Sequence, residues 1–159
     1  MLATPLYVLL VVAVNYGFTV VPLVPMPGGE LWPPMSLAVG FVFVARDFAQ
    51  REVGHGVLLA MLAGAVLSWW MASPYVAVAS ATAFLISEAV DWAVYTWTRR
   101  PLAQRVLLSS ALGTPVDSVV FLALIGHLSM AGVVAMTASK MLGALAVWWW
   151  WLQRRTVPA

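Results

Sequence analysis

The sequence predicts an all-α integral membrane protein, a compact bundle of about six transmembrane helices forming one domain over residues 1–159. Three observations predict it. The 159 residues are 63% hydrophobic and only 9% charged, where a soluble domain carries roughly 25% charged residues. Apolar runs near the 20 or so residues that cross a bilayer recur six times. The basic residues between those runs fall in every second connection, which puts them all on one side of a membrane.

The first run, Leu6–Val24, has no basic stretch before it and no convincing cleavage site after it, so it reads as a retained helix and not a signal peptide. The Pro/Gly segment "PMPGGELWPP" (25–34) ends it. The second and third runs, Met35–Val53 and His55–Ala72, meet in a tight turn at "EVGHG". A proline in "MASPY" (71–75) opens the fourth, Tyr75–Thr98. The basic "RRPLAQR" (99–105) separates it from the fifth, Val106–His127, and "IGHLSMAG" turns the chain into the sixth, Met130–Trp151.

Orientation follows from arginine. Arg46 and Arg51 close the second run, Arg99, Arg100 and Arg105 follow the fourth, and Arg154 and Arg155 follow the sixth. The connections after the first, third and fifth runs hold no Lys or Arg. Positive charge stays cytoplasmic, so both termini are expected there. The "WWWW" run (148–151) and Trp69–Trp70 suit the two membrane interfaces, where aromatic rings concentrate. Small residues recur every fourth position at Gly56, Ala60, Gly64 and Ser68, and again at Ala135, Ser139 and Gly143. That spacing lets helix backbones approach closely.

Several functions are excluded. Without cysteine there is no disulfide framework and no thiolate metal site. A net charge of +2, scattered over segment ends, gives no footprint for nucleic acid. His55 and His127 lie at helix ends without a third ligand at metal spacing. No nucleophile–base constellation is present, which argues against an intramembrane enzyme. Neither a cofactor nor a metal is expected, and the partners are the lipid bilayer and a small molecule, with a homodimer left open.

The informative residues are charges inside the apolar runs. Glu88 lies close to the centre of the fourth, Asp91 one turn nearer the cytoplasm, Asp117 near the centre of the fifth and Lys140 near the centre of the sixth. Asp47 lies in the cytoplasmic third of the second, with Arg46 and Arg51 close by. An ionised side chain at mid-membrane costs roughly 3 kcal/mol or more, so three lipid-facing acids would cost on the order of 9 kcal/mol, about the stability of a whole fold. They must face inward. One Lys140 cannot neutralise Glu88, Asp91 and Asp117 together, so a purely structural ion pair does not account for them.

Helical spacing supports an inward cluster around one cavity. Phe84, Glu88, Asp91 and Tyr95 share one face, and Ser110, Thr114, Asp117 and Phe121 share another. Both mix hydrogen-bonding groups with aromatic rings, as a pocket for a flat polar ligand would. Pro115 interrupts backbone hydrogen bonding just before Asp117. Asn15 and Tyr16 add polar groups at depth from the first run.

With these residues placed, the chain resembles the queuosine precursor transporter family, also called the vitamin uptake transporter family. The resemblance rests on "VNYGF" (14–18), "FVFVARDFAQREVG" (41–54), "SEAVDWAVYTWTR" (87–99), "SSALGTPVDSVVFLALIG" (109–126) and "ASKMLGALAV" (138–147), in that order. Arg46 beside Asp47 departs from the family pattern. The resemblance implies uptake of 7-cyano-7-deazaguanine or 7-aminomethyl-7-deazaguanine across a bacterial inner membrane. Asn15, Asp47, Glu88, Asp91, Asp117 and Lys140 would then form the polar half of a purine pocket, with Phe84, Tyr95 and Phe121 stacking on the ring. The rival within transport is the substrate-binding membrane subunit of an importer driven by separate ATPases.

Overall fold

The structure is a computed structural model and describes residues 2–27, 29–71, 74–98 and 101–155. In chain order these form α1 (Ala3–Val20), a two-residue hairpin pairing Val24–Pro25 with Leu31–Trp32, and α2 (Ser36–Val53). A 3-10 turn over Gly54–Gly56 follows, then α3 (Val57–Met71), α4 (Pro74–Trp97), α5 (Leu102–Leu124) and α6 (Met130–Arg155).

Helix ends track the punctuating residues. Pro22 disfavours helical backbone at Val21, so α1 stops at Val20, four residues short of the expected Val24. Gly54 turns the chain between α2 and α3 at φ +59°, a conformation open mainly to glycine. Pro74 and Pro101 mark the starts of α4 and α5. Helix α5 thus begins before the expected Val106 and takes Arg105 into its first turn. At its other end it stops at Leu124, short of His127. Helix α6 continues through the tryptophan run to Arg155.

The helices pack in a ring, α1–α2–α6–α5–α4–α3 and back to α1, with α2 also reaching across the interior to α4 and α5. Close backbone approach sets two of these contacts. Gly40 of α2 faces the Lys140 carbonyl and Gly143 of α6, and Gly64 of α3 accepts Val11 of α1. Both small-residue ladders therefore serve packing.

The distribution of polarity is inverted relative to a water-soluble protein. Leu9, Leu59, Leu62, Val66, Val134 and Leu142 point outward, while Arg46, Asp47, Glu88, Asp91 and Lys140 are each at most 1% exposed. Such an apolar exterior is at ease only in lipid. Four stretches of the described residues are long and apolar enough to cross a membrane: 3–20, 36–71 (the α2–α3 pair), 104–124 and 130–150. The chain is an all-α, multi-pass membrane protein. Trp69, Trp70, Trp149 and Trp150 are exposed near helix ends, as interfacial anchors would be.

Candidate functional site

The interior charges assemble in two layers, one turn of α4 apart. The first centres on Arg46. Its Nη1 pairs with Asp47 Oδ1 and lies 3.1 Å from Asp91 Oδ2, while its Nε lies 3.4 Å from Glu88 Oε2. Its Nη2 donates to the Glu88 backbone carbonyl at 3.3 Å. Around this guanidinium, Tyr7 Oη donates to Glu88 Oε2 at 2.8 Å and Ser109 Oγ to Asp47 Oδ2 at 2.9 Å. Glu88 Oε1 and Asp91 Oδ1 have no hydrogen-bond partner among the described residues, and Asp91 Oδ2 has only its ion pair with Arg46.

The second layer centres on Asp117. Lys140 Nζ donates to Asp117 Oδ2, and to Ser118 Oγ at 3.1 Å. Ser87 Oγ donates to Asp117 Oδ1 at 3.1 Å. Asp117 is 8% exposed and lines a cavity of about 30 Å³ with Asn15, Phe18, Ser80, Phe84, Phe121 and Met136. That volume holds about two waters.

Asn15 is fully committed as a donor. Its Nδ2 donates to Ser68 Oγ and to the Val11 carbonyl, both at 3.0 Å, and its Oδ1 accepts from Ser80 Oγ. It ties α1 to α3 and α4 and leaves a ligand only an acceptor lone pair. Tyr16, its neighbour, is 47% exposed, since consecutive residues on a helix point about 100° apart.

The expected single cavity is therefore divided. Asn15, Phe84, Asp117 and Phe121 line it, with Lys140 behind Asp117. Asp47, Glu88 and Asp91 instead wrap Arg46. Tyr95 does not reach the cavity, because its ring lies 5.9 Å from the Arg46 guanidinium and 5.1 Å from that of Arg105, a cation–π arrangement. Ser110 and Thr114 are buried on α5 with hydroxyls lacking a partner among the described residues. Arg46 is also no loop charge. It is the second interior base, so among the described residues the buried charges are four acids against two bases.

Tyr7, Phe18, Ser80, Ser87 and Met136 complete the site and were missed in the sequence. The signal existed for two groups: Tyr7, Val11, Asn15 and Phe18 recur at helical spacing, and Ser80 extends the Phe84 stripe by one turn.

Between the cavity and the hairpin end, Phe18 and Phe121 meet with ring centroids 5.5 Å apart. Beyond them opens a larger hollow of about 240 Å³, lined by the same two rings and by Leu23, Leu31, Tyr75, Ile125 and His127.

An apolar exterior around a helical bundle with a small polar cavity defines a multi-pass membrane protein with a polar interior. The sequence agrees: residues 34–153, 120 of the 159, match the family described as "Putative vitamin uptake transporter", and the chain belongs to that family. The match covers α2 to most of α6, hence every buried acid and both buried bases. No curated protein and no solved structure matches the chain.

Proposed function

We propose that the protein takes up a queuosine precursor, 7-cyano-7-deazaguanine or 7-aminomethyl-7-deazaguanine, across a bacterial inner membrane. All six helices would cross the bilayer, with both termini cytoplasmic and the hairpin outside. The observation that carries this reading is Asp117, a carboxylate on the wall of a cavity that two aromatic rings, Phe84 and Phe121, also line. A guanine-like base offers two adjacent donors, its ring N–H and its exocyclic amine. A carboxylate with about four lone-pair directions, two of them used by Ser87 and Lys140, can accept both. The flat faces of the base suit Phe84 and Phe121.

The cavity of about 30 Å³ is far below the roughly 300 Å³ or more of a typical ligand pocket. Binding therefore requires the walls to part. Phe18 and Phe121 separate this cavity from the outer hollow, and their separation would open the route from outside.

The test is uptake of radiolabelled precursor in cells that lack both their own synthesis and their own transporter. Accumulation on expression of this chain alone supports the reading and separates it from a binding subunit that needs external ATPases. No accumulation, with the protein present in the membrane, would overturn it.

A further inference from the structure

We infer that the Arg46 layer is a proton-binding site whose occupancy is coupled to the cavity, so that uptake consumes a proton gradient. This rests on the transport reading above.

Charge balance is the first ground. Among the described residues, Asp47, Glu88, Asp91 and Asp117 are buried with Arg46 and Lys140 as the buried bases. Fully ionised, the interior would hold two uncompensated negative charges, which a membrane interior disfavours strongly. Binding protons removes them. The hydrogen bonds indicate where the protons reside. Asp47 has both oxygens engaged, by Arg46 and by Ser109, and Asp117 has both engaged, by Lys140 and by Ser87. Glu88 Oε1 and Asp91 Oδ1 are buried without a hydrogen-bond partner among the described residues, while the other oxygen of each faces Arg46. Asp47 and Asp117, with both oxygens engaged, serve as the counter-ions of the two bases, and Glu88 and Asp91, each with one oxygen lacking a partner, carry the exchangeable protons.

The surroundings are consistent from every helix packed there. Helix α1 contributes Tyr7, α2 Arg46 and Asp47, and α4 Glu88, Asp91 and Tyr95. Helix α5 contributes Ser109, Asp117 and Arg105, and α6 contributes Lys140 through Asp117. Helix α3 has no titratable side chain.

Coupling is built into one turn of α4. Ser87 is bonded to Asp117 on the cavity wall, and the adjacent Glu88 is bonded through its backbone carbonyl to Arg46. Phe84 and Ser80, one and two turns earlier, line the cavity itself. Widening the cavity moves this part of α4, and with it Glu88 against the guanidinium. The release route would follow one face of α4. Glu88, Asp91 and Tyr95 descend one face of α4 at spacings of three and four toward Arg105. A proton leaving a carboxyl passes along them to water at that end, and the carboxylate left behind is held by Arg46.

Infrared spectroscopy of the purified protein and vesicle transport test this together. The parent should show the C=O stretch of a protonated carboxylic acid at neutral pH, and Glu88→Gln or Asp91→Asn should reduce it. These variants mimic the protonated shape and should insert normally. In proteoliposomes, a pH gradient acid on the substrate side should stimulate precursor uptake by the parent and lose its effect in Glu88→Gln. Absence of the carboxyl band, its indifference to both substitutions, or parent uptake insensitive to the gradient would overturn the proposal. If no precursor enters the vesicles under any gradient, the transport reading falls, and the infrared comparison still decides the proton site.

Discussion

Gly40 of α2 and Gly143 of α6 meet backbone to backbone: a methyl group on Gly143 would lie 2.8 Å from the carbonyl carbon of Gly40 and 3.0 Å from its Cα. A methyl on Gly40 would strike the carbonyl oxygen of Lys140. This crossing sets the depth and rotation of α6, and with them the position of the base that holds Asp117. Either Gly→Ala substitution must push two helices apart, an overpacking cost of about 1–3 kcal/mol. Melting in detergent should show Gly143→Ala and Gly40→Ala clearly less stable than the parent. Gly56→Ala, whose added carbon would have its nearest neighbour at 3.6 Å, should melt with the parent. Equal melting of all four proteins would contradict the contact.

Arg46 should be the least dispensable cation in the chain. Removing one partner from a buried ion pair costs about 3–5 kcal/mol, and Arg46→Met strips the partner from three acids at once. The recoverable, monodisperse protein should fall sharply by fluorescence-detected gel filtration. Arg51→Met, at an exposed position, should express like the parent. Adding Asp47→Asn to Arg46→Met should restore part of the yield, because one uncompensated charge disappears. No rescue would mean that Arg46 acts through packing and not through charge.

Much of this architecture was legible in the sequence, and the misreadings have physical causes. Helix α2, expected over Met35–Val53, forms over Ser36–Val53, since its boundaries carry Pro34 and Gly54. Helix α5 was harder: Arg105 makes the segment before Val106 look like a loop to any hydropathy reading, although Pro101 marks a helix start. Arg46 was read as a cytoplasmic end charge because Arg51 follows it closely. Seven residues from the end of α2, it lies about 10 Å inside the helix, at a depth where burial is decided by which face it occupies. Residue types identified the interior acids correctly, but their division into two layers depends on how α2 and α4 are rotated. That rotation is set by contacts such as Gly40 with Gly143, which no single helix reveals.

Removing Arg46 from the end charges leaves Arg51, Arg99, Arg100, Arg105, Arg154 and Arg155, all still in or next to the connections after the second, fourth and sixth helices. The positive-inside expectation survives the correction. Reporter fusions in the Pro25–Pro34 segment and after Arg155 should therefore report opposite sides of the membrane. Detection of both on the same side would refute the arrangement of six crossings with cytoplasmic ends.

Phe18 should control access to the cavity. Phe18→Ala removes one of the two rings between the cavity and the outer hollow while leaving Asp117 untouched. Because the chain has no cysteine, Ser80→Cys is a clean reporter on the cavity wall. Its labelling by a membrane-impermeant thiol reagent should be slow in the parent background and faster with Phe18→Ala. Val39→Cys, on the same cavity, should behave alike. Unchanged rates at both positions would show that these rings do not close the route.

Asp117 is the acid on which recognition should depend most. It stands on the cavity wall, behind Pro115, with one oxygen bonded by Ser87 and the other by Lys140. Asp117→Asn keeps the shape but replaces an acceptor oxygen with a donor, which opposes the two donors of a guanine-like edge. Losing a charge-assisted hydrogen bond and leaving a donor unpaired costs roughly 2–3 kcal/mol, or about 30- to 150-fold in affinity. Lys140→Ala should differ in kind. It leaves Asp117 uncompensated in the bundle, so the loss should appear first as less protein in the membrane. The double variant Asp117→Asn with Lys140→Ala should regain the protein without regaining binding. Measuring precursor affinity alongside membrane yield separates the two effects. Parent-like affinity in well-expressed Asp117→Asn would move recognition away from this cavity, to the carboxylates around Arg46.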